Sequence, residues 1–125
     1  MKKILFLLLF FCSQAFAFSG YWISQYNNDT YKLYLKENKN VIVGRYCFIT
    51  NNGNRIDCED NDVLNIKGHI NGNVADVYFM STFGGSGTAR ITKEKNKLIW
   101  VIEDSKPFDD ANMNVKRKII FIRSK

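Results

Sequence analysis

Four stretches of this chain hold residue types that do chemistry. His69 is the only histidine, and one imidazole supplies neither a catalytic triad nor a multi-histidine metal site. Alternation along Asn65-Ile66-Lys67-Gly68-His69-Ile70 puts it on the polar side of a strand, beside Lys67 and Asn65. Ser86 stands in Gly84-Gly85-Ser86-Gly87, but no Gly-Lys follows to make a phosphate loop. Thr88 occupies the position where a nucleophile elbow needs glycine. That stretch reads as a flexible turn, with Phe83 exposed at its edge. Asp57, Glu59, Asp60 and Asp62 gather carboxylates, yet without the glycine a calcium loop uses at its sharp turn. A solvated turn is expected there. Residues 104–114 lack any strand pattern and set Phe108 and Met113 around the acidic pair Asp109-Asp110; long irregular connections in compact domains are often functional.

No acid, base and nucleophile converge, so the expectation is a chain that is not an enzyme and uses no metal or cofactor. Contact is the better use of these residues. The expected partner-binding set is Phe83, Phe108, Asp109, Asp110 and Met113, with Tyr34 and Tyr46 added because they share strand faces with polar neighbours.

The elements that would position them are strands. Runs rich in β-branched and aromatic residues cover 21–26, 31–36, 41–50, 55–58, 64–70, 74–81, 88–93, 98–103 and 115–123, with Asn- and Gly-rich turns between them. An Asn71-Gly72 turn of type I′ would set Leu64 opposite Phe79, Ile66 opposite Val77, Gly68 opposite Ala75 and Lys67 opposite Asp76. An Asn52-Gly53 turn sets Ile49 opposite Ile56 and Cys47 opposite Cys58. Directly opposed residues lie within disulfide reach, so turn and cysteines predict one another. The fold class is therefore all-β, an antiparallel up-and-down meander of eight or nine strands with one disulfide. That many strands in a short chain curl into a closed or nearly closed barrel, which also removes sticky edges. Leu64, Ile66, Val77, Phe79, Ile91 and Trp100 form its inward set, bulky enough to fill it.

The first residues give an address. Lys2 and Lys3, the apolar run from Ile4 to Phe11, and Ala15-Phe16-Ala17 form the secretory pattern, with the cut expected after Ala17. Cys12 follows bulky Phe11, an unfavourable context for lipid attachment. The apolar run is too short for stable membrane insertion. Residues 1–17 are thus a signal peptide and 18–125 a single domain. Removing 17 of the 125 residues leaves 108; 16 of the 18 basic residues remain against 12 acidic ones, a net charge of +4. A periplasmic or secreted place suits the cysteine bridge. The scattered basic residues form no nucleic-acid stripe, and suit acidic protein surfaces or anionic headgroups instead.

Gly20-Tyr21-Trp22, Leu33-Tyr34-Leu35, Val43-Gly44-Arg45-Tyr46, Gly68-His69-Ile70, the glycine-rich turn and Leu98-Ile99-Trp100 together resemble the rhythm of small calycin-like barrels, the lipocalin- and avidin-like group. The resemblance implies a fold and leaves the ligand open. The leading functional expectation is a non-enzymatic exported protein that binds and neutralises another protein, as a hydrolase inhibitor or toxin-immunity protein does. The alternative is a calycin-like carrier of a small apolar ligand.

Overall fold

Alternation of apolar and polar residues, broken by turns that favour positive φ, produces nine antiparallel strands, one 3-10 turn at Asn51–Gly53 and one short α-helix among the described residues. The structure is a computed structural model describing residues 17–124; the expected signal segment before Ala17, with Cys12, lies outside the described residues. The strands are β1 (Gly20–Tyr26), β2 (Asp29–Asn38), β3 (Val41–Thr50), β4 (Arg55–Cys58), β5 (Ile66–Asn71), β6 (Val74–Met80), β7 (Ser86–Glu94), β8 (Lys97–Asp104) and β9 (Lys118–Arg123). Helix α1 (Lys106–Asp110) lies between β8 and β9.

Eight of these strands close a barrel in the order β1-β2-β3-β5-β6-β7-β8-β9, with β9 returning to β1. The ninth, β4, shares an edge of β3 with β5: β4 pairs with 47–50 and β5 with 41–44. Between them residues 59–65 leave the wall. Asn65 fills the gap by accepting the Tyr46 N–H on its Oδ1 at 3.0 Å. At the turn between β3 and β4, Asn52 and Gly53 both have positive φ, and Cys47 faces Cys58 with Cα atoms 4.2 Å apart. That register and its disulfide are as expected.

The β5–β6 register differs from expectation by two residues. Ile66 faces Phe79, Gly68 faces Val77, Lys67 faces Tyr78 and His69 faces Asp76. The loop residues are Gly72 and Asn73 rather than Asn71 and Gly72, a dipeptide equally able to take a tight turn. A two-residue slip preserves which side chains point inward, so the inner face survives. Leu64 is the exception: it belongs to the excursion before β5 and is half exposed. Gly68 is required by close approach, because a Cβ there would run into the Asp76 carbonyl and Val77.

The interior is packed with rings. Tyr46, Phe48 and Phe79 meet Phe108 from α1, which stacks on Phe79 at a centroid distance of 4.8 Å and an interplanar angle of 10°, and Trp100 packs on Phe48 and Phe79. Met113 is buried with them. Residues 104–117 therefore act as a plug across one end. The Asn51 Nδ2–H donates to Asn112 O, Arg55 Nε–H donates to Ala111 O, and Thr50 Oγ1 donates to Met113 O, all from the β3–β4 hairpin. At the other end Phe18 is buried beside Trp22.

Candidate functional site

Two strands break the inside-apolar, outside-polar rule. Leu98-Ile99-Trp100-Val101-Ile102 in β8 and Ile119-Ile120-Phe121-Ile122 in β9 are unbroken apolar runs. Leu98, Trp100, Ile102, Ile119 and Phe121 face the core. Their alternates point outward by the pleat: Ile122 is 56% exposed, Ile120 47% and Val101 37%. Ile99 stands directly opposite Ile120, and Ile23 of β1 directly opposite Ile122. Five aliphatic side chains thus tile the outer wall of β1, β9 and β8.

This patch has a cationic rim. Lys97 pairs with Ile122, Lys118 with Val101, and Lys32 with Ile23. On β1 and β2 the wall continues as an aromatic ridge, Tyr21 against Tyr34 with ring centroids 4.9 Å apart, and the Arg45 guanidinium lies 4.6 Å from the Tyr34 centroid. A seam adds depth. The ladder between β1 and β9 pairs Trp22 with Arg123 and Ile23 with Ile122. Beyond it the strands border a cleft of about 540 Å³ lined by Ser24, Gln25, Tyr26, Lys116, Lys118 and Ile120, with the Lys116 ammonium 3.3 Å from the Tyr26 ring centroid. Contiguous exposed apolar surface edged by polar groups is the usual mark of an interaction site.

The expected contact residues are divided by the structure. Tyr34 belongs to this wall. Phe83 is half exposed and shares a shallow depression with Asp110, Arg55 and Lys106 at the plugged end; Asp109 is exposed nearby and accepts the Ser105 hydroxyl at 2.6 Å. Phe108, Met113 and Tyr46 are buried to within 1%, so they offer a partner nothing; their surface role is corrected to core packing. An open barrel end needs apolar filling, and α1 supplies it. Sequence reading missed Ile23, Ile99, Val101, Ile120 and Ile122. Their signal was present: a strand apolar at every position has two apolar faces, and a barrel buries only one.

A second correction concerns the acidic stretch. Asp57 is not solvated but fully buried, because it pairs with inward-pointing Phe48. Its carboxylate accepts from Tyr46 Oη at 2.8 Å, Ser81 Oγ at 2.7 Å, and the Thr82 amide and hydroxyl at 2.9 and 2.7 Å. Burial, with the Asp57 charge adding to it, holds the Tyr46 phenol far above its usual range. This cluster ties the 81–85 turn to β3 and β4. His69 is exposed and paired with Asp76 and Val41. Among the described residues no three metal-ligating side chains gather, and no helix is long and apolar enough to cross a membrane. Comparison with known proteins finds no matching family model, no matching curated protein and no matching solved structure.

Proposed function

We propose that this chain is an exported, non-enzymatic protein of the periplasm or exterior that binds and neutralises another protein, docking through the outer wall of β8, β9 and β1. The observation that carries this reading is the aliphatic patch of Ile23, Ile99, Val101, Ile120 and Ile122 inside its ring of Lys32, Lys97 and Lys118. An apolar centre with a charged rim matches the anatomy of protein interfaces. The cations favour an acidic partner, and they disfavour a basic target enzyme or a second copy of this chain, whose own lysines would face them. The calycin-like resemblance belongs to the same proposal, supported by the eight-stranded antiparallel closure.

The test is affinity capture from the exporting strain and its competitors, comparing wild type with Ile120→Glu/Ile122→Glu and with Tyr78→Glu on the opposite wall. A stoichiometric partner retained by wild type and Tyr78→Glu but lost by the double variant supports the reading. No such partner, or one indifferent to the double variant, removes it.

One observation favours the carrier alternative. The Trp100 Nε1–H is buried without a hydrogen-bond partner, and a ligand acceptor could satisfy it if Phe108 swung out. The filled ring cluster makes this the second choice. Apolar ligands that quench indole fluorescence more strongly in Phe108→Ala than in wild type would promote it.

A further inference from the structure

The residues flanking the expected cleavage point are held unusually tightly. Phe18 is 1% exposed, its side chain plugging the barrel end. Its backbone N–H donates to Glu37 Oε1 at 2.7 Å, and its carbonyl accepts the Trp22 indole N–H at 2.9 Å. The Glu37 amide donates back to Ser19 Oγ at 2.9 Å. The Arg123 guanidinium donates to the Ser19 carbonyl at 2.8 Å and to the Ala17 carbonyl at 3.1 Å, while lying 4.3 Å from the Trp22 ring centroid. A single nitrogen, that of Phe18, is both the one that cleavage would free and the one already seated on a carboxylate.

We propose that hydrolysis of the Ala17–Phe18 bond completes the fold: the new α-ammonium of Phe18 forms an ion pair with Glu37, and the cut is made before the barrel closes. In the step, a peptidase that reads small residues breaks the bond between the Ala17 carbonyl carbon and the Phe18 nitrogen. Water gives its hydroxyl to Ala17 and a hydrogen to that nitrogen, which takes one more proton at neutral pH. The amide hydrogen bond to Glu37 becomes a charge-assisted one, the stronger kind. In the closed barrel the Phe18 ring lies inside and the Ala17 oxygen accepts from Arg123, which holds the bond in place. Extended binding in a peptidase cleft would require withdrawing the plug.

This inference rests on the export half of the proposed function and is independent of the docking wall. The exported protein is purified and its intact mass measured; a chain beginning at Phe18 is expected. The free-amine protein is then compared with an Nα-acetylated form made by semisynthesis, each also as Glu37→Gln. Acetylation is expected to lower Tm by about 5 °C in wild type, and by less than about 1 °C in Glu37→Gln. Should Glu37→Gln not fold, a wild-type chain retaining Ala17, which keeps the N–H but has no charge on that nitrogen, is expected to show the same loss of about 5 °C. A different first residue, or equal effects of acetylation in both backgrounds, overturns the inference and leaves export standing. A product that retains its signal segment overturns both.

Discussion

The wall formed by β5, β6 and β7 and the wall formed by β8, β9 and β1 enclose the same core, yet they present different surfaces. On the first, outward positions run His69, Asp76 and Arg90 across neighbouring strands, with Arg90 and Asp76 paired at 2.9 Å in the open. On the second, the equivalent positions are Ile99, Ile120, Ile122 and Ile23. Inside, both are apolar. Core packing therefore explains one face of each strand and says nothing about the other. The polar wall satisfies the solubility requirement; the aliphatic wall works against it, and in our reading is kept for a partner.

The first way to break this comparison is to substitute the two faces of one strand. Phe121→Ala, inside, is expected to cost about 3–5 kcal/mol in chemical denaturation. Ile120→Ala, its outward neighbour, should stay within about 0.5 kcal/mol, as surface substitutions do. A large loss from Ile120→Ala would mean that the patch is structural.

Removing the bridge by Cys47→Ala/Cys58→Ala sharpens the contrast from another side. Loss of about 3 kcal/mol is expected in the chain-entropy view. The faster amide exchange should concentrate in the β3–β4 hairpin and in the 104–117 plug it anchors, sparing β9. Uniform loosening would contradict that arrangement.

Alkali supplies a third comparison. Burial raises the Tyr31 phenol to about 12, with the Lys116 N–H pulling the other way and Asp29 adding to the rise; Tyr46 is raised further. A raised folded-state value means that the folded chain keeps protons that the unfolded chain releases. Stability is then fully held below pH 10 and lost as pH climbs through 12. Tyr31→Phe should flatten the fall; an alkaline denaturation curve as steep as that of wild type would contradict this. The smallest effect is expected from Arg90→Ala: solvent screens an exposed ion pair, so its loss should leave the denaturation midpoint where it is in wild type.

Much of this fold was legible because its rules are local. Cys47 and Cys58 bracket an Asn-Gly turn, so turn chemistry and cysteine spacing specify one register twice. The β5–β6 hairpin has no such second constraint: Asn71-Gly72 and Gly72-Asn73 are both good turns, and only packing against β3 and β7 selects the latter. Asp57 looked solvated among acidic neighbours, although the β3–β4 register already placed it beside Phe48. Phe108 and Met113 looked like loop-tip contacts because an open barrel mouth needing filling is a property of the closed structure, invisible in residues 104–114 alone. The aliphatic outer wall was readable in β8 and β9, where five and four consecutive apolar residues exceed what one buried face requires.

The most direct measurement is hydrogen–deuterium exchange of the protein with and without a partner captured as proposed above. The account predicts added protection at β9, the outer edge of β8 and the β1–β9 seam from Ser24 to Tyr26, with β5 to β7 unchanged. Protection confined to β5–β7, or to the 81–85 turn and the plug, would contradict it.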